Sequence, residues 1–188
     1  MRWRRRYIWP DITPNRVSMP VFYPARVFHI LIAAAFAALP LAAHTQTAPA
    51  LRIEGQVPQP RSFTAAELAA LPHVEQKAKD KEGKTHRYRG IELRELLRLA
   101  GAPQGKDLHG PVLGQALLVT AADGYKVIFA LPELDPTFTE RTILLADQRD
   151  GQPLATGQGP YQIIIPQEKR PTRWVRQVTS LRMVTVQP

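Results

Sequence analysis

The stretch ALLVTAADGYKVIFAL, Ala116 to Leu131, decides the fold. Its two strongly apolar arms meet at Asp123-Gly124, a dipeptide favoured in the primed turns that join antiparallel strands. A hairpin of this kind needs an apolar partner for its buried face, and the neighbouring segments offer one. Upstream, IELRELLRLAGA places Leu93, Leu96, Leu97 and Ala100 at helical spacing. Glu92 and Glu95 precede Arg98 in the order that supports a helix, and Gly101 sits where a left-handed C-cap is wanted. That leucine stripe predicts a helix packed on the sheet. Downstream, ILLADQRDGQPLA repeats the hairpin device at Asp150-Gly151, and YQIIIP and WVRQVTSLRMVTV read as further strands.

Farther upstream, HVEQKAKDKEGKTHRYRG alternates along two polar arms with Glu82-Gly83 near the tip, the pattern of a solvated hairpin. SFTAAELAALP is a short helix, with Thr64 and Glu67 forming a capping-box pattern and Pro72 stopping it. LRIEGQV supplies a short strand. Pro132, Pro136, Pro153, Pro160, Pro166 and Pro171 punctuate the later connections and confine long helices to the first half. The expected fold class is α+β, a β-rich mixed sheet with two short helices on one side, spanning residues 51–187. A chain of 188 residues has room for one such core.

Before it, VFHILIAAAFAALPLAA, Val27 to Ala43, is a charge-free run of 17 residues. That is shorter than the roughly 20 residues that span a bilayer, and small and polar residues follow it. Residues 1–43 read as an export signal region, residues 44–50 as a linker, and the product as periplasmic or secreted, with no membrane span after cleavage. Met19 is an alternative start, leaving Arg26 directly before the apolar run. Arg4, Arg5 and Arg6 loosely suggest a twin-arginine signal, but about twenty intervening residues favour the general secretory route.

The formal charge of +9 invites a nucleic-acid reading. Six of the 25 Lys and Arg precede residue 44 against one acid, leaving 19 basic and 15 acidic residues from Thr45 onward, interleaved and without a basic stripe. No nucleic-acid partner is expected. No cysteine occurs anywhere in the chain, which removes disulfides, thiolate catalysis and thiolate ligation. His44, His73, His86 and His109 show no metal-ligand spacing, and His86 reads as a hairpin surface residue. Ser62 and Ser180 lack a nucleophile elbow, and Glu133 and Asp135 beside Pro132 and Pro136 read as local caps or a solvated loop. The glycines of ATGQGP lie between strands with no G-K-[ST] after them, so a phosphate loop is discarded.

One cluster stands out. KRPTRWVR gathers Lys169, Arg170, Arg173 and Arg176 around Trp174. Arginine suits bidentate capture of phosphate or carboxylate, and the indole offers a stacking face. On residue types alone this is either an anion site or the solvated start of a strand. Extended chain would point Arg173 and Arg176 to opposite faces, so one shared pocket needs a bend, which Pro171 permits.

Four segments in order resemble the oxidoreductase molybdopterin-binding domain, the fold of sulfite oxidases and of periplasmic methionine-sulfoxide reductases. They are RYRGIELRELLRLAGA, VTAADGYKVIFALPEL, LLADQRDGQPLATGQGPYQIIIP and KRPTRWVRQVTSLRMV, and they lie, in order, within roughly residues 51–185. The resemblance implies a sulfite-oxidase molybdopterin-binding-like fold. It also implies that Arg170 and Arg173, with Lys169 and Trp174, hold an anionic pterin phosphate. The sequence departs from the family where Pro171 replaces a serine and GQGP stands for an HGGP-like stretch. The molybdenum-ligating cysteine upstream of the leucine helix is missing, and the early histidine-containing arginine motif has no counterpart.

The resulting expectation is an exported, non-catalytic domain that binds a small anionic ligand or a periplasmic protein. It has no cofactor of its own; molybdopterin is the alternative, in an oxidoreductase with an atypical metal site. A structural or interaction module is the third reading. No catalytic or metal-ligating residue is assigned.

Overall fold

In a computed structural model, residues 48–185 are described. The readings of residues 1–43 as an export signal and of Met19 as a start fall outside them, as does most of the linker. Among the described residues no helix is long and apolar enough to cross a membrane.

Strand β1 (Leu51–Gly55) turns back into β2 (Arg61–Phe63), and Thr64 then caps α1 (Ala65–Ala70). The capping box is formed as the sequence predicts: Thr64 Oγ1 accepts the Glu67 amide at 3.2 Å and Glu67 Oε2 accepts the Thr64 amide at 2.7 Å. β3 (Val74–Lys79) and β4 (Thr85–Glu92) make the polar hairpin, and β4 runs directly into α2 (Leu93–Leu99). Leu93, Leu96 and Leu97 of α2 are buried, and Gly101 closes it with φ +74°. β5 (Gln115–Ala121) and β6 (Lys126–Ala130) form the apolar hairpin; β7 (Leu144–Arg149), β8 (Gln152–Pro153), β9 (Gln162–Ile164) and β10 (Val178–Thr185) complete the set.

These strands make two sheets. The first has the order β2-β1-β10-β5-β6; its β1–β10 pair is parallel and its other pairs antiparallel, so it is mixed. The second has the order β3-β4-β7-β8, with β9 also paired to β7. β6 is an edge strand buried on one face, so Val127 and Phe129 point inward while Ile128 stays exposed. β7 lies inside its sheet, and its consecutive Leu144, Leu145 and Ala146 are all buried, which explains an apolar run without alternation. β4 approaches β7 very closely at Gly90, beside a register shift. A Cβ there would stand 2.3 Å from the Leu145 carbonyl oxygen and 2.5 Å from Ala146 Cα.

The hairpins use two kinds of turn. At Asp150-Gly151 both residues have positive φ, +52° and +78°, the primed two-residue turn. At Asp123-Gly124 only the glycine does, φ +85°, which corrects the expectation of a primed turn there. The Ala121 amide donates to Tyr125 O at 2.9 Å and the Gly124 amide to Ala121 O at 3.1 Å, a three-residue loop with a left-handed glycine. The Asp80–Lys84 tip repeats that pattern. A second correction concerns the last strand. It begins at Val178, because Pro171–Arg173 forms a 3-10 turn and Gln177, with φ +48°, breaks the extended path.

Candidate functional site

The tip of the β3–β4 hairpin and the loop from Glu168 to Arg176 face each other across a cavity of about 640 Å³. β4 contributes Tyr88 to its wall, β7 Arg149 and β9 Gln162. Tyr88 and Arg149 are register partners across the β4–β7 pair, so sheet geometry fixes their meeting. Tyr88 is buried and its ring meets Trp174 edge to face at 5.6 Å. Burial pushes the Tyr88 phenol up, and the neighbouring Arg149 guanidinium pulls the other way without prevailing.

Of the sequence-predicted site residues, Lys169, Arg170 and Trp174 line this cavity, and Arg176 joins them. The bend that Pro171 permits is present, and it brings three of the four clustered cations to one space. Arg173 is the exception. Its guanidinium turns away, donating to Glu168 Oε1 at 2.6 and 2.8 Å and to Glu133 Oε2 at 3.2 Å, and it lies 5.0 Å from the Phe129 ring centre. Burial works against its charge, but the bonds to Glu168 and Glu133 outweigh it and hold its pKa above the ordinary range. Glu133 is the local cap the sequence suggests, accepting the Ala130 amide at 3.1 Å, and it serves this ion pair as well.

Among the wall residues that sequence reading missed are Lys79, Lys81, Tyr88, Arg149 and Gln162. It also misplaced His86, behind the wall, which is 6% exposed rather than a surface residue. Its Nδ1 lies 2.6 Å from Asp150 Oδ2 and its Nε2 3.0 Å from Asp80 Oδ2. One carboxylate thus stands at hydrogen-bond distance from each ring nitrogen. Asp80 Oδ1 also accepts the Lys84 and Glu82 amides at 2.9 and 3.1 Å, and Asp150 Oδ1 the Arg87 amide at 2.9 Å. The imidazole therefore pins the hairpin tip, one wall of the cavity, to the β7–β8 turn. Burial raises the Asp80 pKa, yet the amides and His86 bring it below the ordinary carboxylate range; the Arg87 amide and then His86 do the same for Asp150. The signal was available: His86, Tyr88 and Gly90 alternate with Arg87 and Arg89 and share one buried face.

Cations dominate the cavity wall. Six line it, Lys79, Lys81, Arg149, Lys169, Arg170 and Arg176, against the acids Asp80, Glu82 and Glu168. Each acid is engaged, Asp80 by His86, Glu82 by Lys81 at 3.3 Å and Glu168 by Arg173. Among the described residues, five of the cations have no carboxylate within ion-pair distance; Lys81 alone has one. Trp174, 7% exposed, adds an indole Nε1 without a hydrogen-bond partner. Among the described residues no group of three or more His, Asp or Glu is placed to hold a metal ion.

No protein-family model and no curated protein matches this chain. Among solved structures, the sulfane dehydrogenase SoxCD from Paracoccus pantotrophus is similar, with 21% sequence identity and a TM-score of 0.56. The match covers 71% of this chain and 37% of that one, so the chain spans well under half of that protein's length. At this identity the likeness is one of fold. The architecture is α+β, mixed sheets with few short helices, consistent with the sulfite-oxidase-like fold that the four ordered motifs led us to expect.

Proposed function

We propose that this chain is an exported, periplasmic or secreted binding protein, without catalysis of its own, that takes a small anionic ligand in the cavity between the hairpin tip and the 168–176 loop. The observation that carries the reading is the set of five cations without carboxylate partners around one concave space of about 640 Å³. That volume is in the range of small-molecule sites. Arg170 and Arg149 supply planar forks, Lys169, Lys79 and Arg176 further charge, and Tyr88 and Trp174 the apolar flank. Arg173 has a different part here: it props the loop through Glu168 and Glu133.

Molybdopterin, which the resemblance brings with it, fits this donor set poorly. Its phosphate would find cations, but its molybdenum would find no thiolate, since the chain has no cysteine.

Calorimetric titration of the protein with inorganic phosphate tests the reading. Saturable binding that is abolished in the Lys169→Ala, Arg170→Ala double variant, with its melting temperature unchanged, is expected. Absence of binding of phosphate, pyrophosphate and citrate alike by the unaltered protein would refute it. Stoichiometric molybdenum in protein purified from its native compartment would replace it with the oxidoreductase alternative.

A further inference from the structure

The five cations come from three separate segments. Lys79 ends β3, Arg149 ends β7, Lys169 and Arg170 precede the 3-10 turn, and Arg176 follows it. They approach the cavity from separate walls, and the sheet fixes the backbone under two of them. One tetrahedral or planar anion engages two or three donors at a time and leaves the remaining charges facing one another. Four of the cations, Lys79, Lys169, Arg170 and Arg176, are exposed, so water screens part of their mutual repulsion, but a ligand that offers charge at one point only still leaves most of it in place.

We infer that the ligand is polyvalent: a small molecule carrying two or more anionic groups a few bonds apart, as in a diphosphate or a polycarboxylate. The inference rests on the anion-binding reading and narrows it. The acids of the wall sharpen the argument, because none is free to balance the cations. Asp80 is bonded to His86 at 3.0 Å, Glu82 to Lys81 at 3.3 Å, and Glu168 to Arg173 at 2.6 Å. Among the residues of the wall, no acid is left to neutralise the cations. Two anionic groups on one short linker reach Arg170 on one wall and Arg149 on the other, and the second contact costs no further loss of translational freedom.

The test compares orthophosphate, pyrophosphate and citrate by calorimetric titration of the full chain at fixed pH and ionic strength. Pyrophosphate or citrate is expected to bind at least about tenfold more tightly than orthophosphate, with a steeper loss of affinity on adding salt. Which of the two binds better separates a phosphate from a carboxylate ligand. Arg149→Gln and Arg176→Gln are each expected to weaken the polyvalent ligand more than orthophosphate, with melting temperatures confirming that both variants fold. Orthophosphate binding as tightly as both others would overturn polyvalency and leave the anion-binding reading standing. No binding of any of the three would overturn both.

Discussion

Arg170 and Arg173 stand three residues apart in a cluster that reads as one anion grip, yet the structure gives them separable roles. Replacing Arg173 with alanine removes three hydrogen bonds, two to Glu168 Oε1 and one to Glu133 Oε2, together with the guanidinium near Phe129. Its side chain is 30% exposed, and those of Glu168 and Glu133 are 17% and 35% exposed. The loss therefore lies between the limit for exposed pairs, about 0–1 kcal/mol, and that for stripping one partner from a buried pair, about 3–5 kcal/mol. A value of about 2 kcal/mol follows, with Glu168 the larger contributor because its other oxygen is already buried without a partner. At about 2–4 °C per kcal/mol for a domain near this size, the melting temperature falls by about 4–8 °C. Arg170→Ala should leave it within about 1 °C, since Arg170 is exposed and lacks a carboxylate partner. Differential scanning calorimetry of the two single variants, paired with phosphate titration, reads both quantities. The reasoning fails if Arg173→Ala melts like the unaltered protein while losing phosphate binding, because Arg173 would then be a ligand contact and its ion pairs incidental.

Acid should loosen the hairpin tip. Asp80 and Asp150 have pKa values lowered by folding, so the stabilisation they give is complete above the unfolded value of about 3.9 and is lost as pH falls through their lower folded values. The backbone amides of Glu82, Lys84 and Arg87 report this in NMR spectra; midpoints at or above the ordinary aspartate value would contradict the His86 arrangement. Gly90→Ala forces β4 from β7, since its Cβ would meet the Leu145 carbonyl at 2.3 Å. A loss of about 1–3 kcal/mol or more is expected in urea denaturation, and an unchanged midpoint would mean that the close approach is not maintained in solution.

How much was legible follows from how local each feature is. The capping box at Thr64, the leucine stripe of α2 and the positive-φ glycines at the hairpin tips are decided within a few residues, and the sequence shows them. The position of β7 inside its sheet has a local trace as well, the unbroken apolar run Ile143 to Ala146, which the hairpin reading of that segment left unused. Lys169, Arg170, Trp174 and Arg176 could be found because they are contiguous. Tyr88 and Arg149 could not, because 60 positions separate them and only the β4–β7 register sets one opposite the other. His86 failed for a related reason: alternation put it on the buried face, but its partners Asp80 and Asp150 belong to two different turns. Polar residues alternating with arginines look like solvated hairpin until the second turn arrives to cover them.

Pro171 carries the remaining step. Against the motif it resembles, it removes a serine and with it a hydrogen-bond donor. In the fold it opens the 3-10 turn Pro171–Arg173, where a missing N–H is no loss and a fixed φ is an advantage. Without the turn, strand alternation would send Arg173 and Arg176 to opposite faces with no constraint on Arg170. With it, Trp174 drops into the core against Tyr88, Arg173 meets Glu168 and Glu133, and Arg170 and Arg176 are left on the cavity side of the loop. The division between a propping arginine and facing ones thus depends on a backbone feature, and the carboxylates it recruits decide which cations stay free. A chain that keeps Pro171, Glu133 and Glu168 should keep that division even if the identities of Lys169 and Arg170 change.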